Sequence, residues 1–492
     1  MIHQTARGVS DGAPFEQLKS LKLATMQHQP RLLYPAISGA ALLAGAIGAA
    51  GQPAAPALAR PAKPTWLTVA SLGVKEGYDN NVLLVANRSP GLSPQASWIT
   101  TISPKLGVDF APLLGRSNLW QTLALTYAPD FAIYHEASSE SYNAHRLNQA
   151  VKARTGDVSF SLDNAFLFND GSRQAPTYAL DQSGVTANQY DKYRNIYSTA
   201  AVRERRKQIQ DRATVSFQYD ADQYFLRPIA TLLDYGLMTD WHNNGSAPYL
   251  GYQNYVDRAD VNGGLDAGYK LTPKLAATLG YRYGHQYQQS FPNAIDSNVM
   301  NGQQEQSSND YQRILAGLEG HPWSWLNVKL AGGPDFRHYN PAAAVFNHYP
   351  VKFYGEAALT ATLTANQSLT FSYKQWQWLS SVGKVPYYES TYSLAYHANL
   401  TRKLGLDLGG KLANSDYTSG NNVSGNAPSL HNDSMLTVSG GLSYAFTPHF
   451  SLSAAYANDF GRNNFDGLPA ALHPEYRNFE HQTVFLAAVY QF

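Results

Sequence analysis

From Trp66 to the end of the chain, apolar and polar residues alternate with a period of two. In residues 98–110, Trp98, Thr100, Ile102, Pro104, Leu106, Val108 and Phe110 fall on one side of an extended chain, and Thr101, Ser103, Lys105, Gly107 and Asp109 fall on the other. Successive side chains of a strand point to opposite faces, so this is the pattern of a strand with one greasy face and one wet face. It recurs at 119–133, 158–168, 212–219 and 275–284, and again at 326–336, 351–363, 369–377, 392–400, 404–412, 436–446 and 450–456. The sequence stops inside one such segment, where Val484, Leu486, Ala488, Tyr490 and Phe492 make one uniformly apolar face. Chain ends are normally frayed and solvated, so a terminal strand this apolar has to be held by neighbours or by lipid.

Connections between these segments alternate in length. Short ones are expected at 112–118, 155–157, 203–208, 272–274, 321–324, 364–367, 401–403 and 447–449. Long ones, rich in Asn, Ser, Gly and Pro as solvated loops are, lie at 77–96, 169–189, 222–254, 289–309, 340–349, 416–432 and 461–478, with shorter members near His135 and Val382. Tight turns at one rim and long loops at the other are how transmembrane β-barrels are built. The segments run to roughly 9–12 residues, enough to cross a bilayer at a tilt, whereas strands of a soluble sandwich or propeller are nearer ~5–6. In lipid every backbone amide has to be paired, which only a closed sheet achieves. The expectation is therefore an all-β, antiparallel transmembrane β-barrel over 66–492, of about 18 strands, with short periplasmic turns, long extracellular loops and both termini at the short-turn rim. Residues 484–492 would be its closing strand, with the apolar face turned to lipid.

Composition narrows the function. There is no cysteine, hence no disulfide framework, thiolate metal site or cysteine nucleophile. Formal net charge is +1, and residues 1–59 carry Arg7, Lys19, Lys22 and Arg31 against Asp11 and Glu16. The remainder is nearly neutral with no basic cluster, which argues against nucleic acid as a partner. The long apolar run at 32–50 follows Arg31 and precedes a small-x-small site at Ala57 and Ala59. That is a secretory signal peptide, with cleavage expected between Ala59 and Arg60 and translation starting at Met26. The competing reading, a membrane-anchoring helix, is weakened by Pro35 and the glycines. Residues 60–65 remain as a short periplasmic lead, too short for a plug domain or periplasmic repeats. The expected location is the outer membrane of a Gram-negative bacterium, among its lipid and lipopolysaccharide.

The terminal pattern Val484, Leu486, Ala488, Tyr490, Phe492 resembles the C-terminal signal of bacterial outer-membrane proteins, which implies the barrel assembly machinery as a partner. The end of the first strand, Tyr78, Asp79, Asn80, Asn81 and Val82, is similar to the type 2 β-barrel porin family, often linked to exopolysaccharide gene clusters. Read from the residues alone, the same run is a turn cluster at a strand end.

Inward-facing charges are the candidate chemistry: Lys105, Asp109, Arg154, Asp163, Arg212, Asp220, Arg258, Asp260, Asp266 and Arg282. A basic residue facing lipid at mid-depth costs on the order of 2–4 kcal/mol, so these must line water or pair with one another. A barrel of about 18 strands leaves an aqueous bore unless a loop fills it. Both signs are present in similar number, which leaves a weakly selective pore as the expectation. One helical signal breaks the strand pattern: after Pro228, the residues Ile229, Leu232, Leu233, Gly236 and Leu237 follow i, i+3, i+4, i+7, i+8. It marks the 222–254 insertion as a constriction loop folded into the mouth. For catalysis, Ser393 with His397 is the pair to test, although residues four apart on a strand do not bond directly. His285 should face outward at a girdle, and no His/Asp/Glu set has metal-ligand spacing. The reading is a porin-like channel for passive diffusion of small hydrophilic solutes, with no enzymatic activity and no cofactor. Alternatives are a structural or secretion component for exopolysaccharide and, third, an outer-membrane enzyme.

Overall fold

The alternation is realised as eighteen antiparallel strands closed into one barrel. The computed structural model describes residues 64–82, 84, 94–114, 119–171, 207–238, 257–289, 308–339, 351–379, 386–417, 431–465 and 478–492. The expected signal peptide, its start and its cleavage site lie outside the described residues. In chain order the strands begin with β1 (Leu67–Asp79), β2 (Ser97–Asp109), β3 (Trp120–Tyr134), β4 (Tyr142–Thr155), β5 (Val158–Asp170) and β6 (Gln208–Asp220). They continue with β7 (Tyr224–Gly236), β8 (Arg258–Thr272), β9 (Leu275–Gln288), β10 (Asn309–Trp323), β11 (Leu326–Tyr339) and β12 (Val351–Thr364). The circuit ends with β13 (Gln367–Trp378), β14 (Tyr387–Asn399), β15 (Leu404–Tyr417), β16 (His431–Ala445), β17 (Phe450–Phe465) and β18 (Phe479–Gln491). Each strand pairs with the next, and β18 closes on β1 from Ser71↔Gln491 to Asp79↔Thr483. Both strands at the closure therefore have their outer chain ends at the short-turn rim, as expected.

The exposed apolar side chains share the outward parity. Leu72 and Val74 on β1, Leu279 on β9, and Val484, Leu486, Tyr490 and Phe492 at the C-terminus all point away from the lumen, with Leu486 63% and Phe492 65% exposed. This is the lipid face of a transmembrane barrel. Aromatic residues gather at its two edges: Trp323 and Trp325 stack at 5.7 Å beside the β10–β11 turn, and Tyr281, Tyr283 and Tyr287 lie toward the long-loop rim of β9. His285 sits among these tyrosines, 2.9 Å from Asp310, on the outward face expected for it. Strands run from 12 to 16 residues, longer than the alternation alone suggested, because the ladders continue past the apolar band.

The tight turn expected at 203–208 falls mostly outside the described residues, and a tight turn that was not expected lies at 221–223, where Ala221 N–H bonds Tyr224 C=O at 2.8 Å between β6 and β7. Residues 224–236, expected as part of a loop with a helical face, are strand β7. Ile229, Leu232 and Leu233 are therefore strand residues, and Leu237 lies just past the strand end, fully buried. The reason is that both faces of β7 are apolar. Tyr224, Leu226 and Leu232 turn to lipid, while Phe225, Ile229, Leu233 and Tyr235 turn into the lumen. A run apolar on both faces carries no period of two, and its spacing can equally be matched to a helix.

Candidate functional site

The inward faces of β8 to β12 are filled by side chains. Arg313 Nε and Arg337 Nη2 both donate to Asp335 Oδ2, at 3.0 and 2.6 Å. Their guanidinium groups lie over the Tyr311 ring at 3.9 and 4.4 Å, and Arg313 also faces the Tyr354 ring at 4.4 Å. Tyr311 donates its hydroxyl to Asp260 Oδ1 at 2.8 Å, and Gln286 Nε2 donates to Asp260 Oδ2 at 2.7 Å. Arg337 Nη1 donates to Asn309 Oδ1 at 2.7 Å. The Tyr311 ring has room to lie flat on the wall because residue 284 is glycine; a Cβ there would run into it. Nearer the short-turn rim a second network forms: Arg227 bonds both carboxylate oxygens of Glu319, at 2.9 and 2.8 Å, and shares Asp266 with Arg282.

This filled lobe is closed by a bridge across the lumen. At the outer end of β13, Trp376 and Trp378 stack at 4.7 Å and 19°. They pack with Leu315, Tyr354 and Tyr387 and meet Leu233 and Tyr235 arriving from β7. Tyr235 lies 6.0 Å from Trp378, and Arg258 is held between their rings at 5.1 and 5.4 Å. The backbone is fixed as well: Gln286 Nε2 donates to Gln377 C=O at 3.0 Å, and Arg258 Nη1 donates to Leu379 C=O. Two walls five strands apart are thus drawn together. The bridge is made by Trp376, Gln377, Trp378 and Leu379, and Leu233, expected in a constriction loop, meets it from strand β7. The bridge's sequence signal was the parity of Trp376 and Trp378, which matches Lys374 and opposes the lipid-facing Leu369, Phe371 and Tyr373.

The ten inward charges expected to line the bore divide accordingly. Arg258, Asp260, Asp266 and Arg282 belong to the filled lobe. Asp109 serves the short-turn rim, its Oδ1 accepting Ala111 N–H at 3.0 Å and Leu123 N–H at 2.9 Å. Arg154 and Asp220 face each other at 4.0 Å. Lys105, Asp163 and Arg212 are exposed on β2, β5 and β6 without an ion pair among the described residues, and Lys152 on β4, also of inward parity, is another of this kind. On the same side of the barrel Asp130 takes Lys75 at 3.8 Å and Arg146 more closely.

The Tyr78–Val82 run lies at the seam between first and last strands. Asp79 Oδ1 accepts Asn81 N–H at 2.9 Å, Asn80 N–H donates to Gln482 C=O at 3.1 Å, and Asn80 Oδ1 accepts Gln482 N–H at 2.7 Å. Asn81 Nδ2 donates to Glu480 C=O at 2.9 Å, and Val82 is buried against Ile99, Ala132, Tyr134 and Ala137. His481 lies 3.0 Å from Asp79 and 2.9 Å from Asp459. The asparagine pair thus extends the β1–β18 ladder with side chains where the backbone turns away. At the long-loop rim, the Trp98 N–H and the Ser97 hydroxyl hold the Glu136 carboxyl below the usual range and tie the loop after β3 to β2.

Ser393 and His397 do not form a dyad. Ser393 Oγ pairs with Ser372 Oγ, and His397 Nδ1 is 2.8 Å from Asp407 on the next strand. Among the described residues no group of His, Asp and Glu side chains has the geometry of a metal site.

No family model and no curated protein matches the chain. Solved structures do. Among them are OccK11 (OpdR) of Pseudomonas aeruginosa, 12% identical over 86% of this chain and 96% of that one, TM-score 0.36. OccAB4 of Acinetobacter baumannii is 11% identical over 87% of this chain and 100% of that one, TM-score 0.37. The siderophore receptor PirA from Acinetobacter baumannii is 7% identical over 87% and 81%, TM-score 0.39.

Proposed function

We propose that this chain is an outer-membrane channel for passive diffusion of small hydrophilic solutes, exported by its signal peptide, inserted by the barrel assembly machinery and surrounded by lipid and lipopolysaccharide. The observation that carries the reading is the division of the lumen. One lobe is sealed by the Arg313–Asp335–Arg337 network and the Trp376–Trp378 bridge. The other presents Lys105, Lys152, Asp163 and Arg212 exposed and without ion-pair partners among the described residues. Unpaired charges are costly away from water, so a wall bearing four of them borders a hydrated lane. No step of chemistry is required, and the contacts of Ser393 and His397 leave neither aligned with the other.

A structural or secretion role for exopolysaccharide rested on the likeness of Tyr78–Val82 to the type 2 porins. Those five residues are accounted for by the β1–β18 seam, so the likeness speaks to closure of the barrel more than to cargo. Recording from the refolded barrel in planar bilayers separates the two. Stable ohmic channels are expected from a diffusion pore, and a folded, heat-modifiable barrel that carries no current would return the structural role to first place.

A further inference from the structure

We infer that the open lobe is a lane for anions, and that Arg212 on β6 and Lys374 on β13, brought toward each other from opposite walls, form the point where a small oxyanion is held in transit. This deepens the channel reading and rests on it. The juxtaposition follows from the bridge. Arg212 stands directly across the ladder from Leu233, and Leu233 packs on the cluster that contains Trp376. Lys374 Nζ lies 3.8 Å from the centre of the Trp376 ring. The same contact that pinches the lumen therefore sets two cations of opposite walls at one level. Glu356 is the direct cross-strand neighbour of Lys374.

The carboxylates around the pair are all engaged or displaced. Glu356 lies 3.8 Å from Lys329 and accepts the Tyr354 hydroxyl at 2.9 Å. Glu389, one diagonal step along β14, accepts the Thr391 hydroxyl at 3.1 Å. Asp163 on β5 is diagonal to Arg212, and Asp260 is held by Tyr311 and Gln286. Arg313 beyond them is bound to Asp335. Neither Arg212 nor Lys374 has a carboxylate within 4 Å among the described residues. From Arg212 toward the short-turn rim the wall continues with Lys152, three residues from the end of β4, and Lys105, four residues from the end of β2. Lys105, Lys152 and Arg212 against the single unpaired carboxylate of Asp163 leave this wall with an excess of positive charge; such an excess between low-dielectric walls concentrates anions, and selectivity follows the sign at the narrow section. Carboxylate and phosphate groups share the oxyanion chemistry that an arginine and a lysine would hold together.

The test uses the full mature barrel in planar bilayers under a potassium chloride gradient. The reversal potential should show chloride preferred over potassium on the order of twenty-five-fold, since one unit positive charge about 4 Å from the ion's path in water-like surroundings favours the anion and disfavours the cation by about fivefold each. This departs from the near-unity ratio that counting inward charges suggests. Arg212→Gln with Lys374→Gln should bring the ratio to one or below while current persists, and Arg212→Lys should keep the preference, since charge and not shape is being read. Inorganic phosphate and a short monocarboxylate added separately should each reduce chloride current in the wild type, and the deeper block identifies the better-fitting oxyanion. Wild-type channels with a ratio near or below one would overturn the inference alone. Absence of any current from folded barrel would remove the channel reading and this inference with it.

Discussion

Replacing Trp378 with alanine removes the side chain that joins the two walls of the lumen. Trp378 is 3% exposed, stacks on Trp376, meets Tyr235 and supports the Arg258 guanidinium. Truncating a buried tryptophan costs about 3–5 kcal/mol. Backbone pairing of Trp378 with Tyr387 does not depend on the indole, so the loss falls on the bridge and not on closure of the sheet. With a factor of ten for each 1.4 kcal/mol, the balance between bridged and released walls shifts by roughly a hundredfold to several thousandfold toward release. Single-channel recording reads the result: Trp378→Ala should give larger conductance, or frequent transitions to a larger level, while the barrel keeps its heat-modifiable mobility on gels. Trp323→Ala, at an exposed residue of the short-turn rim, is the matched control and should leave conductance unchanged. Arg258→Ala should act in the same direction, through the lost bond to Leu379 C=O and two ring contacts, with an effect that overlaps that of Trp378→Ala because both act on one bridge. A folded Trp378→Ala barrel with wild-type conductance and no added levels would refute the bridge as the constriction.

Leu486 projects to lipid midway along β18, so Leu486→Arg should cost on the order of 2–4 kcal/mol and sharply lower the yield of heat-modifiable barrel; a normal yield would contradict the assigned lipid face. At the seam, Asn80→Ala with Asn81→Ala removes two side-chain bonds of about 1 kcal/mol each, and should lower the temperature at which the barrel unfolds in detergent without changing conductance. Deleting 229–245 takes away more than half of β7 and should abolish the folded barrel, whereas deleting 418–430, between β15 and β16, should be tolerated. Mass spectrometry of the membrane-extracted protein should find Arg60 as its first residue; retention of residues 32–50 would show an anchor in place of a signal peptide.

The period of two, the alternation of short and long connections and the apolar face of 484–492 were sufficient for the architecture, whereas the count of about eighteen was reached without β7. Those features are local: a lipid-facing strand must be apolar at every second residue, and a periplasmic turn must be short, whatever its neighbours are. The inward parity of Lys105, Asp163 and Arg212 was legible for the same reason. What could not be read from one strand at a time was β7, because its inner face is apolar only to meet Trp376 and Trp378, which lie far away in sequence. Nor could parity separate Arg258 and Asp260, locked in a filled lobe, from Lys105 and Arg212 on the open wall. Which inward charges are neutralised depends on which walls approach each other, and that was decided by the tertiary structure, through the contact of Tyr235 with Trp378 and the two donors, Arg258 and Gln286, that hold the end of β13 inside the barrel.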